Sequence, residues 1–309
     1  MRQRLLFRRE FRAYYGGHGK VWDYFRHAAT HPDWEPRIHL TATSVDAGNP
    51  WREACATAIE TEWQPDAHHA LFLAGMDWQA WPEDRDGMPV INLIQGVRHA
   101  QPGQDVHPFL RRRAVRICVS QAVADAIVST GLVRGPVLAI DAALDLPPLP
   151  AVSSRSGIVI GASKQPALGM RLAGLLHEHG LETRLLDAPL PRGDYLTALA
   201  GSEIAVLLPH ATEGFYLPAL EGMALGCAVA VPDCVGNRAY LQPGVNALSP
   251  GLEADALCAA VLRMHADPAL RERLRAGGIA TAARHSQARE RAAFHRVLDD
   301  LPALWASAA

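Results

Sequence analysis

The sequence contains no run of about 18 uncharged apolar residues, although hydrophobic residues fill 49% of its 309 positions, so no membrane-spanning helix is expected. The basic start, MRQRLLFRREFR, lacks an apolar core followed by a small-residue cleavage site and does not read as a secretory signal. Cysteine is scarce. Cys55, Cys118, Cys227, Cys234 and Cys258 are odd in number, and no C-x-x-C pair exists, which argues against a disulfide framework or a zinc cluster. These features point to a cytoplasmic protein with free thiols. The formal net charge is only -2, so nothing global calls for nucleic acid as a partner. Metal-ligand patterns are equally thin. Asp84-Arg-Asp86 has D-x-D spacing, but it sits in a turn rich in Pro and Gly, and His68-His69 lacks helix-spaced companions. No metal and no cofactor are therefore expected, and no internal repeat or low-complexity tract is evident.

What is present is alternation. Short Val/Ile/Leu runs read as strands at Leu5–Phe7, Ile38–Thr41, Ala70–Leu73, Val90–Leu93, Ile117–Val119 and Val137–Ile140, then at Ile158–Ile160, Thr183–Leu186, Ile204–Leu207 and Ala228–Val231. Helical patterns separate them at Lys20–Thr30, Gln121–Ser129, Met170–His179, Leu217–Leu225 and Asp255–His265. Strand and helix in turn predict α/β architecture with parallel sheets covered on both faces. The length suits about two domains. Leu146–Gly157, with three prolines and three serines, cannot hold a helix or a central strand and reads as the linker. The expected domains are 1–147 and 148–309, with the last helix crossing back to the first domain.

One stretch carries chemistry. Between the strands Ile204–Leu207 and Ala228–Val231 lies Thr212-Glu213-Gly214-Phe215-Tyr216-Leu217-Pro218-Ala219-Leu220-Glu221-Gly222-Met223-Ala224-Leu225-Gly226. A helix is expected to start near Leu217 and stop at Gly226. Helix starts attract anions, because their first N–H groups lack intrahelical partners and the macrodipole is positive there. Gly214 lets a ligand approach the backbone closely. Glu213 falls at the C-terminal edge of a parallel sheet, where such sheets bind ligands. Glu221 lies about one turn along the helix, and a carboxylate can accept both hydroxyls of a ribose cis-diol. The bland alternative makes Glu213 an ordinary loop carboxylate and Glu221 part of a solvated helix face.

The run E-G-F-Y-L-P-x-L-E-G-M-A-L-G closely resembles the E-x7-E signature of retaining GT-B glycosyltransferases, above all family four. Further elements occur in that family's order. Gly16-Gly-His-Gly-Lys20 resembles its N-terminal glycine loop, and Arg116–Ala126 its strand–serine–helix element. Asp145 matches an Asp after the last N-terminal strand, and Asp233–Arg238 with Pro243–Ala247 the loops after the signature helix. The resemblance implies two Rossmann-like domains with parallel sheets facing across a cleft. It implies a nucleotide-diphosphate sugar as donor, bound in the C-terminal domain, and a carbohydrate or lipid-linked acceptor in the N-terminal one. Glu213, His99 and Lys164 are the implied catalytic residues. Glu221, Gly214, Phe215, Tyr216, Leu217, Gly17 and His18 are the implied nucleotide-sugar contacts.

The sequence also departs from the family pattern. After the first C-terminal strand the family carries Gly-Arg and then Lys; here Gly161-Ala-Ser-Lys164 supplies the lysine without an adjacent arginine. Ala142-Ala143 replaces an Asn-Gly, and Tyr216 a common Gly. A GT-B epimerase or hydrolase, and a non-catalytic GT-B-like binding subunit, are the rival readings. Arg111-Arg-Arg113 with Arg116 reads as a solvated basic face or, more sharply, as a patch for anionic phospholipid and peripheral membrane association.

Overall fold

The computed structural model describes residues 2–13, 16–83, 85–149 and 154–308. Asp84 and part of the Pro- and Ser-rich segment fall outside them. The chain divides into two units: Met1–Ala142 with Gln287–Ala309, and Ala143–Ser286. The division lies at Ala142–Ala143, where the hydrogen bonding changes hands. Ala142 N–H donates to Val119 O, whereas Leu144 N–H donates to His285 O.

Among the described residues, unit 1 is built on seven strands: β1 (Gln3–Arg9), β2 (Trp34–Leu40), β3 (Ile59–Glu60), β4 (Ala70–Ala74), β5 (Val90–Ile94), β6 (Val115–Cys118) and β7 (Val137–Ala139). They pair in parallel in the order β3-β2-β1-β4-β5-β6-β7. The central strands β4 and β5, ALFLA and VINLI, are buried at every position, as continuous apolar runs require. Pro36 is tolerated within β2 because β3 pairs only with Ile38 and His39, which leaves an open edge beside it. The two-residue strand β3 is too short to leave a sequence signal.

The helices of the N-terminal part of unit 1 are α1 (Gly16–Ala29), α2 (Pro50–Ala54) and α3 (Gln121–Val128). Ser120 caps α3 by accepting from Val123 N–H at 3.3 Å. The glycines Gly16, Gly17 and Gly19, expected as a loop, form the first turn of α1 instead. Side-chain bonds offset their poor helix propensity: Gln95 Nε2 donates to Gly17 O at 3.1 Å, and Arg9 Nε donates to His18 Nδ1 at 3.0 Å.

Unit 2 carries β8 (Ile158–Gly161), β9 (Thr183–Leu186), β10 (Ile204–Leu207) and β11 (Ala228–Ala230), parallel in the order β11-β10-β8-β9. Its helices are α4 (Pro166–Glu178), α5 (Arg192–Ala200), α6 (Leu217–Ala224), α7 (Ala254–Ala266) and α8 (Pro268–Ala282). Alternate strand residues feed two separate apolar layers. Val159, Ala205, Leu207 and Val229 pack with α5 and α6, while Ile158, Ile160, Val206 and Ala228 pack with α4 and α7. The sheet is thus covered on both faces.

The helices α9 (Gln287–Asp299) and α10 (Leu301–Ala306) belong to unit 1. A buried ionic network fixes α9 to α1. Lys20 Nζ reaches Glu290 Oε1 and Asp23 Oδ2, each at 2.7 Å, and His27 Nε2 lies 2.9 Å from Glu290 Oε2. Burial alone would raise the Glu290 carboxyl, but Lys20 and His27 outweigh it and hold it below its ordinary range. Lys20 is therefore committed to holding helices together.

The arginine run is structural as well. Arg113 Cζ stands 3.9 Å from the Trp305 ring centroid, and its Nη2 donates to Trp305 O, which ties α10 to the segment leading into β6. Arg112 donates to the carbonyls of Trp78 and Trp81 and lies over the rings of Trp78 and Phe109. Arg116 is fully buried and donates to the carbonyls of Ala114, Arg134 and Leu110, among others. Desolvation lowers its pKa to about 10. Neither a solvated face nor a lipid patch describes Arg112, Arg113 and Arg116; of the four, only Arg111 is exposed. Among the described residues no helix is long and apolar enough to cross a membrane.

Candidate functional site

In an open parallel sheet the crevice lies beyond the carboxyl ends of the strands, where the connections reverse direction. In unit 2 that point is between β8 and β10. The loop after β8 carries Lys164, and the loop after β10 carries Glu213. Lys164 Nζ forms an ion pair with Glu213 Oε1 across this point, with the side chains 36% and 18% exposed. The ammonium also stands 5.2 Å from the ring centroid of Tyr216. The pair is reachable from solvent, so its Coulomb energy adds at most about 1 kcal/mol to stability.

The loop from Glu213 to Tyr216 is held from behind by the segment after β11. Tyr216 N–H donates to Gly236 O at 3.0 Å, and Tyr240 Oη donates to Tyr216 O at 2.6 Å. A Cβ on Gly236 would lie 2.8 Å from the Phe215 and Tyr216 nitrogens, so only glycine fits this close approach. The side chain of Asn237 accepts from Cys234 N–H and donates to Pro232 O, which sets the turn around Gly236. Phe215 points onto Tyr240 and His285, with ring centroids 5.6 Å apart in both cases. Gly214 and Tyr216 are buried. Phe215 and Tyr216 thus shape the loop by packing.

Helix α6 begins at Leu217 with Tyr216 as an N-cap whose side chain caps nothing. Two features reduce its free donors: Leu217 N–H turns back to Phe215 O, and Pro218 has no N–H. The positive end of the dipole remains. At the far end, Arg155 and Arg275 donate to Leu225 O and Gly226 O, complementing the negative pole. Glu221, one turn along α6, is 3% exposed, and its Oε1 pairs with Arg192 Nη2 at 2.8 Å. Both glutamates act on Tyr216. Burial first, then Glu213 and Glu221, push its phenol well above the ordinary range.

Unit 1 has its own reversal point, between β1 and β4. There Arg9 Nη1 pairs with Asp77 Oδ2 at 2.8 Å while its Nε bonds His18 Nδ1. Burial and the Arg9 charge lower the His18 pKa to about 4, so the ring is neutral with its proton on Nε2. Gly17 offers its carbonyl to Gln95. His99, in the 3₁₀ turn Val97–Ala100 after β5, is 5% exposed. Its Nδ1 donates to Gly96 O at 3.0 Å, and its O accepts from His107 Nδ1 at 2.9 Å. That fixes Nε2 as a lone pair, which is buried and has no hydrogen-bond partner among the described residues. Burial holds the His99 pKa down to about 4.

Lys164, Glu213, Gly214, Phe215, Tyr216, Leu217 and Glu221 therefore gather at one end of the unit 2 sheet, while Gly17, His18 and His99 belong to unit 1. The residues that sequence reasoning missed are Arg192, Gly236 and Tyr240. Gly236 lies within the loop Asp233–Arg238, but nothing local in the sequence marks its closeness to Phe215. Among the described residues no three His, Cys, Asp or Glu side chains are grouped so as to hold a metal ion.

Residues 149–267 match the family model described as Glycosyl transferases group 1. No curated protein matches the chain in sequence. Solved structures are similar over nearly the whole chain. Sucrose-phosphate synthase from Thermosynechococcus elongatus is 13% identical, with 98% of this chain and 100% of that one covered at a TM-score of 0.68. HepE from Anabaena, solved with UDP-glucose, is 14% identical, with 96% and 100% covered at 0.67. A glycosyltransferase from Rickettsia africae is 11% identical, with 97% and 99% covered at 0.69. The fold is that of the GT-B glycosyltransferases.

Proposed function

We propose that the chain is a retaining, metal-independent glycosyltransferase that takes a sugar from a nucleotide-diphosphate donor bound in unit 2. The observation that carries this reading is the Lys164–Glu213 pair at the reversal point of the unit 2 sheet, beside the start of α6, with Glu221 one turn further on. The family model over residues 149–267 and the UDP-glucose bound to Anabaena HepE support it.

In this reading Glu221 accepts the ribose diol and Glu213 faces the sugar ring. Lys164 and the α6 dipole stabilise charge on the diphosphate. The bond from the anomeric carbon to the diphosphate oxygen breaks, and a bond from that carbon to an acceptor hydroxyl forms on the same face. The hydroxyl proton passes to the leaving phosphate oxygen. In unit 1, the lone pair of His99 Nε2 is suited to accept a sugar hydroxyl. The acceptor is a carbohydrate or a lipid-linked one, as in synthesis of surface polysaccharide or glycolipid. Five free cysteines suit a reducing, cytoplasmic setting.

The test is a panel of nucleotide-sugars incubated with and without acceptors, and with and without chelator. Slow nucleotide release that acceptor accelerates, undiminished by chelator, is the expected outcome. Product formed without acceptor would replace transfer by epimerisation or hydrolysis, and binding without turnover would make the chain a binding subunit.

A further inference from the structure

Glu221 is a carboxylate in an almost fully buried place, and such a group needs a partner. The partner comes from an unexpected element. Arg192 is the first residue of α5, directly after Pro191, whose φ of -51° fixes the entry to the helix. Its Nη2 pairs with Glu221 Oε1 at 2.8 Å and donates to Asp145 O, also at 2.8 Å. The guanidinium is thus pinned between α6 and the segment after β7, although its side chain is still 31% exposed. The planar guanidinium sets the carboxylate plane in a way a flexible ammonium does not. A carboxylate offers about four lone-pair sites, so one facing Arg192 leaves enough for both hydroxyls of a cis-diol.

We propose that Arg192 is a positioning residue for the nucleoside: it orients the Glu221 carboxylate so that the remaining lone pairs meet a ribose 2′,3′-diol. This rests on the reading of Glu221 as the ribose acceptor. Arg192 acts through Glu221, so its effect depends on the diol and is independent of base and phosphate.

The test uses calorimetric titration of the full chain with UDP, GDP and ADP, and then with the 2′,3′-dideoxy form of the tightest binder. Wild-type protein is expected to prefer the ribo form. Arg192→Ala should weaken the ribo form about 10- to 100-fold, the scale of a charge-assisted hydrogen bond, and leave the dideoxy form unchanged. Glu221→Gln should show the same selective loss, with no further loss when the two substitutions are combined. Arg192→Lys, which keeps the charge, should recover part of it and serves where Arg192→Ala does not fold. Equal weakening of the ribo and dideoxy forms would overturn the proposal in favour of a phosphate contact. Tighter binding of the ribo form by Arg192→Ala would overturn it too, making Arg192 a competitor for the site. A wild-type chain that binds no nucleotide, or binds ribo and dideoxy forms alike, would remove the ribose role of Glu221 itself, and this proposal with it.

Discussion

Lysine occurs twice in the chain, and each ammonium meets a glutamate. The two pairs share one chemistry and differ in everything around it. Lys20 and Glu290 are 4% and 0% exposed, sit on the packed faces of α1 and α9, and are joined by Asp23 and His27. Lys164 and Glu213 are 36% and 18% exposed and sit on loops where the strand order of unit 2 reverses, beside a helix start with no side-chain cap. Desolvation makes the first pair depend on every partner it has. Accessibility keeps the second available to a ligand. What an ion pair contributes to stability therefore follows from its burial and its position relative to the sheet edge, not from its residue types.

The comparison breaks most easily at Glu290. Glu290→Gln removes a carboxylate from the buried Lys20 ammonium, and should cost about 3–5 kcal/mol of unfolding stability. Urea denaturation would show this as a lower midpoint at unchanged slope. A loss below about 1 kcal/mol would make the buried network no more important than a surface pair. Glu213→Gln should do the reverse. Stability should change by less than about 1 kcal/mol, while turnover falls roughly 100-fold, about 2.7 kcal/mol, because charge develops on the sugar only in the transition state. Affinity for a nucleoside diphosphate should stay nearly constant. If it drops as far as in Glu221→Gln, the sugar-facing role of Glu213 is wrong.

Lys164→Ala sharpens the contrast from the cationic side. It should weaken nucleoside diphosphate binding by about 1.5–3 kcal/mol, the range for hydrogen bonds to charged groups. Thermal unfolding should barely move, since a partly exposed pair contributes little. Unchanged affinity in calorimetry would assign the diphosphate to another cation.

How far these contrasts were legible in the sequence depends on range. Ten of the strands are legible because apolar runs leave a local pattern, plainest in β4 and β5, which are buried at every position. Glu213 and Glu221 are candidates from sequence because their spacing, the Leu217-Pro218 helix start and Gly226 are contiguous. The partners are not. Glu290 lies 270 positions from Lys20, and no periodicity links them. Arg192 follows Asp187-Ala-Pro-Leu-Pro191, which reads as loop, so the helix α5 that it opens leaves no clear start signal. The arginines around Arg113 misled for a related reason: charge reads as surface unless the ring beneath it is known, and the Trp305 ring is supplied from the other end of the chain.

His99 tests the comparison where it is finest, because this histidine combines structural burial with an acceptor that no described residue satisfies. Its pKa is held down to about 4 against an ordinary 6.5, chiefly by burial. The folded chain therefore keeps the ring neutral while the unfolded chain protonates it as pH falls below 6.5. More protons bound by the unfolded state means that stability drops with falling pH, and the drop runs from about pH 6.5 to about pH 4. At pH 5.5 this destabilises the folded chain by about 1 kcal/mol, nearly all of it absent at pH 7.5. His99→Gln carries no titrating group. The stability difference between wild type and variant, measured by urea unfolding, should shift by that amount in the variant's favour between pH 7.5 and pH 5.5. Turnover of the wild type should show no titration of His99 over the same range, since the folded protein holds it neutral throughout. A pH-independent stability difference would mean that the ring is solvated. An activity titration near pH 6.5 that disappears in His99→Gln would mean that it is charged when it works, a donor rather than the acceptor that its bond to Gly96 implies.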